Sequence, residues 1–413
     1  MSRQLKYLMA LLLPVFLHVL LFFISIPWGY TLQRLDEALL LLMIVYIVTA
    51  GIFAYLLKKH AIKFLVVTYM TLVCLILLEI SLRVFFGNSP LLRYHSIALH
   101  NPNLSMQALV TKKINGVDDV VKFTTNSLHL RSPEIRNFSD VDISILCIGG
   151  STTECLPVTD SKTWTALLQK ELSKKLDKNV YVGNAGKAAM FTVSHKQVLK
   201  NYVHLKNFEW IVILCGINDL ATFLRDDYDE RSTKQESDAV LYYKKLFLVN
   251  LLQALHRQNY ATQDLGGYYI ENRRLKRKNA KILTEIYGDF DLALRRYRKN
   301  LLDIIQICRE KNKKLIFMTQ PTLWHENMSL DLQGMLWQST LRGSYTPKIL
   351  AKMMDDYNNV MLDICDQKKV YCLDLAKSLP KNKSVFYDDC HFNNSGCQKI
   401  SNILSEYLFE KIE

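Results

Sequence analysis

Apolar positions follow two regimes along the chain. In the first ninety residues they are continuous: Leu8–Ile26, Ala38–Leu57 and a run from Phe64 to about Phe86 each have the length, about 20 residues, that crosses a hydrocarbon core as a helix. Residues 91–140 are polar, and Asn101-Pro102 and Asn115-Gly116 signal turns and one or two hairpins. From residue 141 short apolar runs alternate with amphipathic stretches. The runs are Ile143–Ile148, Val180–Val182, Trp210–Cys215, Lys314–Met318 and Val370–Leu373; the helical stretches include Trp164–Leu176, Leu292–Glu310 and Lys348–Gln367. Strand and helix alternating in this way predict an α/β domain with a parallel sheet covered on both faces. The chain therefore reads as a membrane anchor of three transmembrane helices (1–90), a connecting lobe (91–140) and an α/β domain (141–413). An insertion at about 225–290 contains an acidic start, a helical stretch at Ala239–Arg257 and a basic run.

The cations orient the anchor. Arg3 and Lys6 precede the first run, and Lys58, Lys59, His60 and Lys63 fill the second loop, whereas the first loop has only Arg34 beside Asp36 and Glu37. By the positive-inside rule the N-terminus and second loop are cytoplasmic. The α/β domain is then extracytoplasmic, and periplasmic if the source is bacterial, in a multi-pass membrane protein. A cleaved signal peptide is the other reading of the first run. Its length, the lack of a small-x-small site and the two runs that follow argue against it. Glu79 and Arg83, at i and i+4 near the end of the third run, read as a self-satisfied helix pair. Three spans without a series of intramembrane charges give no path for a transporter.

Composition sharpens the division. The 413 residues are 49% hydrophobic and 22% charged with a net charge of +13, which excludes global disorder. Residues 1–90 carry seven Lys/Arg and three Asp/Glu, so the near-zero mean hydropathy averages an apolar block and an ordinary soluble-type chain. The nine cysteines show no zinc-type spacing. Six cations fall between Arg273 and Lys281. They suit a polyanion or anionic headgroups, or simply a solvated helix face. No nucleic-acid module accompanies them, and no nucleic-acid partner is expected.

The candidate chemistry lies just after the apolar runs. Gly149-Gly150-Ser151-Thr152-Thr153-Glu154 follows the first, Gly183-Asn184-Ala185-Gly186 the second and Gly216-Ile217-Asn218-Asp219 the third; Asp388-Asp389-Cys390-His391 stands near the C-terminus. In an open parallel sheet, sites form at the carboxyl ends of strands. These residues suit acyl transfer. Ser151 offers a hydroxyl that needs a base, His391 can be that base, and Asp388 can hold its imidazole. The N–H groups of Ser151 and Gly186 and the side-chain amide of Asn218 can form an oxyanion hole.

Together these blocks resemble the SGNH hydrolase superfamily, also called GDSL esterases/lipases, whose Ser, Gly, Asn and His match Ser151, Gly186, Asn218 and His391. The family's Asp matches Asp388. The resemblance covers about 141–413. It implies a flavodoxin-like three-layer fold, no metal or cofactor, and a serine hydrolase acting on an ester-linked acyl group, with an acylated carbohydrate or lipid as substrate. An O-acyltransferase modifying an envelope polysaccharide or glycolipid, and a silent binding subunit of the same fold, are the alternatives. Asn126-Ser127-Leu128-His129-Leu130-Arg131 resembles a lead-in segment of membrane-anchored members, with His129 where glycine is more usual. Two departures stand out: Gly-Gly-Ser replaces Gly-Asp-Ser, and Lys187-Ala188-Ala189 follows Gly186 without a further glycine. Cys155 and Cys390 flank the serine and histidine, either as a disulfide or as free buried thiols.

Overall fold

The computed structural model describes residues 70–71, 73–81, 99–110, 113–224 and 267–412. The chain forms two compact units, Met1–His95 with Ser237–Ala261, and Ser96–Glu236 with Thr262–Glu413. The described part of the first, 70–71 and 73–81, is helical. The expected spans Leu8–Ile26 and Ala38–Leu57, Arg83, and the stretch Ala239–Arg257 lie outside the described residues. Among the described residues no helix is long and apolar enough to cross a membrane.

In the second unit, β1 (Ser105–Leu109) and β2 (Val120–Thr124) make an antiparallel hairpin. The chain then alternates. β3 (Ile143–Gly149) leads to a one-turn helix α1 (Ser151–Glu154) and then α2 (Trp164–Leu176). β4 (Val180–Gly186) is followed by α3 (Thr192–Asn201), and β5 (Trp210–Leu214) by α4 (Ile217–Phe223). Within the insertion lie α5 (Gly267–Lys278) and β6 (Ile282–Leu283), and after it come α6 (Phe290–Glu310) and β7 (Lys314–Met318). The chain closes with α7 (Leu330–Gln333), β8 (Ser344–Tyr345), α8 (Pro347–Lys368), β9 (Tyr371–Leu373), α9 (Leu375–Ser378) and α10 (Asn394–Ile412). β6 and β8 pair as a short parallel ribbon.

The central sheet runs β4-β3-β5-β7-β9, all parallel. Counted in chain order this is 2-1-3-4-5, the flavodoxin-like doubly wound arrangement. The helices form two sets: α2 packs with α10, and α6 packs with α3, α4 and α8. β3, β4 and β5 are buried at every position, as strands covered on both faces must be. α6 buries Ala293, Tyr297, Leu301, Ile304, Ile305 and Cys308, a stripe at helical spacing. α8 starts sharply because Thr346 accepts from the Ile349 N–H and Pro347 occupies the first turn, where its missing N–H costs nothing.

Register positions the site. Gly149 of β3 is level with Gly186 of β4 and Leu214 of β5. The loops after the three strands therefore open side by side, around the β3–β5 boundary where the chain reverses its direction of winding. That is the place where such sheets bind ligands.

Candidate active site

Ser151 begins α1, directly beyond β3, with Gly150 in extended backbone before it. One turn of helix cannot hold itself in place, and the turn is held from outside by Arg131. This guanidinium is buried, and it donates to the carbonyls of Glu154, Cys155 and Val158 and to the Asp160 carboxylate. It therefore satisfies the carbonyls that so short a helix leaves open. Asn126 shapes the turn that presents Arg131, its Oδ1 accepting from the Leu128 and Leu130 N–H groups. Glu154, also buried, accepts from the Ala188 N–H and lies 2.8 Å from His100 Nε2. It ties the turn to the loop after β4.

The histidine side is a tight loop between Phe386 and Phe392, which form an isolated antiparallel bridge. Asp388 Oδ1 accepts from the backbone N–H groups of Cys390 (3.0 Å) and His391 (2.8 Å). Its carboxylate also lies 2.7 Å from His391 Nδ1, and His391 Nε2 lies 2.7 Å from Ser151 Oγ. A carboxylate is acceptor only, so Nδ1 carries the proton and Nε2 is free to accept from the serine hydroxyl. Burial opposes charge on Asp388, yet the His391 charge and hydrogen bond and the Cys390 N–H hold its carboxyl below the usual range. Burial likewise opposes an imidazolium at His391; Asp388, with Cys390, more than reverses this and raises its pKa well above the ordinary value. The Cys390 Sγ lies 3.8 Å from His391 Nδ1, and burial pushes that thiol up to about 11. It is a protonated neighbour of the histidine. Asp388, Cys390 and His391 offer ligand atoms within 4.8 Å of one another. The 2.7 Å Nδ1–Oδ2 separation, however, is that of a hydrogen bond, shorter than two ligands about 2.1 Å from one tetrahedral metal require.

The predicted oxyanion donors are not all disposed alike. Asn218 Nδ2 donates to the Met190 carbonyl at 2.8 Å, which fixes the amide and leaves its second N–H. Gly186 differs from expectation: its N–H donates to Asn184 Oδ1 at 2.9 Å. What its position requires is the absence of a side chain. A Cβ there would lie 2.3 Å from the Glu154 nitrogen. Among the described residues the loop leaves the N–H groups of Ala189 and Phe191 without an acceptor, one on each side of Met190, whose carbonyl fixes Asn218. Asp219, next to Asn218, is buried against Thr192, and desolvation pushes its carboxyl up to about 7.

Residues 147–399 match the GDSL-like Lipase/Acylhydrolase family. The chain belongs to that family. It is an SGNH/GDSL esterase-like hydrolase. No curated protein sequence matches it. Among solved structures it is similar to an α/β hydrolase enzyme from the metagenome of Lake Arreo, Spain (14% identity, 65% of this chain and 95% of that one, TM-score 0.38). An acetylxylan esterase from Geobacillus stearothermophilus is similar at 15% identity over 64% and 94%, with a TM-score of 0.37. The lipase/acylhydrolase from Enterococcus faecalis follows at 14% over 65% and 96%, with a TM-score of 0.37. Membership rests on the family match and not on these distant likenesses.

Both departures of this GDSL hydrolase from the usual blocks have a visible cause or cost. At Gly150 a Cβ would lie 2.2 Å from Asn218 Nδ2, so the aspartate of a Gly-Asp-Ser block would displace that amide. In the loop after β4, Ala189 adopts φ +64°, the conformation a glycine would take at lower cost. His129 likewise holds φ +67° at the glycine-like position of the lead-in segment, its Nδ1 2.9 Å from the His100 carbonyl oxygen.

Three features escaped the sequence. Asp389 points away from the histidine: its carboxylate accepts from Trp324 Nε1 (2.7 Å) and from the backbone N–H groups of Trp337 (2.6 Å) and Gln338 (3.2 Å). The basic run divides. Arg274 donates to the carbonyls of Met335 and Tyr387, Arg277 to those of Gln338 and Tyr345, and Arg273 lies over the Trp337 ring, so half of the supposed solvated face clamps the wall of the site. The cysteines are free thiols among the described residues. Cys155 and Cys390 form no disulfide, and the Cys155 sulfur lies 4.0 Å from that of Cys397.

Proposed function

We propose that the chain is a membrane-anchored serine esterase that removes an ester-linked acyl group from an extracytoplasmic substrate. The observation that carries the reading is the continuous contact from Ser151 Oγ through His391 to Asp388, 2.7 Å at each step. Ser151 Oγ attacks the ester carbonyl while its proton passes to His391 Nε2. Asp388 stabilises the imidazolium and fixes its tautomer. Negative charge on the carbonyl oxygen is met by the N–H groups of Ser151 and Ala189 and the remaining amide N–H of Asn218. The proton on Nε2 then goes to the leaving alcohol. Water then attacks the acyl-serine, giving its proton to His391 Nε2, which passes it to Ser151 Oγ as the acyl–oxygen bond breaks and the free acid leaves. The anchor and the orientation are supported by the three apolar runs and their flanking cations. An acylated carbohydrate or lipid is the substrate class in keeping with that placement.

Ser151→Ala is expected to lower turnover of a short-chain aryl acetate by at least about 10³-fold and to abolish labelling by a fluorophosphonate probe. Unchanged turnover in that variant would sink the proposal. One equivalent of free acid per turnover distinguishes hydrolysis from transfer to a second alcohol.

A further inference from the structure

The two adjacent aspartates at 388 and 389 divide one task. Both are buried, and burying two neighbouring carboxylates is costly unless each is fully engaged. Asp388 is engaged by the catalytic-side imidazole and the loop's own N–H groups. Asp389 engages a different segment, 324–338, and among its donors is the backbone N–H of Trp337. The Trp337 ring lies nearly parallel to the His391 imidazole, with centroids 6.1 Å apart and planes inclined by 15°. The Arg273 guanidinium lies over the same ring, 4.2 Å from its centroid, a cation–π contact that helps to anchor the indole. A second ring, Tyr387, is parallel to the imidazole at 5.6 Å and 10°.

From this arrangement we propose that Trp337 is a positioning residue for the Asp388–His391 pair, held in register by Asp389 and backed by Arg273. The proposal rests on the esterase reading of the same site. The flat face of Trp337 limits rotation of the imidazole about the axis that keeps Nε2 on the serine. The groups facing the imidazole are Asp388, Cys390 and Tyr387 from its own loop, Ser151 and Cys155 from the nucleophile side, and Trp337. Asp389 and, behind it, Arg277 act through Asp388.

The test compares Trp337→Phe and Trp337→Leu in the full chain. Phe keeps the flat face, so kcat and KM stay within about twofold of the parent. Leu loses it, and kcat falls about 10–100-fold without a matching change in KM. The downfield proton resonance of His391 Nδ1–H stays sharp in the Phe variant and broadens in the Leu variant. If the Leu variant does not fold, Trp337→Gln reads the same loss of the flat face. A parent-like kcat with a sharp His391 resonance in the variant without the ring overturns the proposal. Ser151→Ala separates the two ideas: if it abolishes turnover while Trp337 variants are silent, only the positioning role is lost. If Ser151→Ala is also silent, the esterase reading falls with it.

Discussion

The serine half and the histidine half of the site are built by opposite means. Around Ser151 the fit is steric. Gly150 and Gly186 are places where a single carbon would strike Asn218 or the backbone of α1, and the turn is then clamped by one guanidinium. Around His391 the fit is electrostatic. Two buried carboxylates each collect three or more donors, and together they hold the loop and the wall beside it. Steric fit fixes where an atom is; the buried carboxylates fix both where the imidazole is and which protonation state it prefers. The serine half should therefore be damaged by adding atoms, and the histidine half by removing a charge at constant shape.

The largest effect is expected on the histidine side. Asp388→Asn preserves volume but removes the charge, and kcat should fall about 10³–10⁴-fold. In the parent, His391 must be neutral to accept the serine proton. Its pKa is held well above the ordinary value, so kcat/KM should climb as pH rises through a limb above the usual histidine range, and this limb should move to lower pH in Asp388→Asn. The sign for stability follows from the same shifts. Asp388, held low, stabilises the fold above its unfolded pKa and loses this as pH falls through its folded value. His391, held high, stabilises below its unfolded pKa and loses this as pH rises through its folded value. The variant should lose most stability between about pH 4 and 6.5, a window that denaturant melts across pH would locate.

Next in size is the serine half. Gly150→Asp would give the chain the commoner Gly-Asp-Ser block, yet here the new Cβ meets the Asn218 amide at 2.2 Å. We expect kcat to drop about 10²-fold, the value of one displaced oxyanion donor. Steady-state kinetics showing equal or higher kcat would mean that Asn218 has room to move, and the steric description of this half would be wrong. The smallest effect should come from Ala189→Gly. Relief of the left-handed backbone outweighs the added freedom of the unfolded chain, for a net gain of about 0.5–1 kcal/mol in a thermal melt, with turnover retained because the N–H is unchanged.

The same contrast explains what was legible in the sequence. The parallel sheet, most of its flanking helices and the convergence of Ser151, Asn218, Asp388 and His391 follow from local signals: short apolar runs, their alternation with amphipathic stretches, and small or polar residues just beyond strand ends. Steric necessity leaves glycines behind, and glycines can be read. Long-range polar engagement leaves no local mark. Arg273, Arg274 and Arg277 look like part of a solvated basic face, and only the fold shows that the acceptors of Arg274 and Arg277 are the carbonyls of residues 335, 338, 345 and 387 and that Arg273 lies over the Trp337 ring. Asp389 is indistinguishable from Asp388 until the direction of each carboxylate is known. The position of Gly186 in its block suggests a hydrogen-bond donor, whereas the packing asks for a missing side chain, and α3, β6 and β8 are too short or too polar to stand out. Cys155 finds its neighbour on α10, because that helix packs across α2 beside the nucleophile turn.

Arg131 lies outside the stretch matched to the family and upstream of the first sheet strand, yet it reaches beneath the serine. A shortened chain starting at residue 141 would keep all five sheet strands and every residue assigned to acyl transfer. It would also leave a guanidinium-shaped hole ringed by the carbonyls of Glu154, Cys155 and Val158. Such a fragment should fold around its sheet and still bind poorly to serine-directed reagents. The smallest portable catalytic piece of this protein therefore begins before Asn126, inside what the sequence presents as a linker.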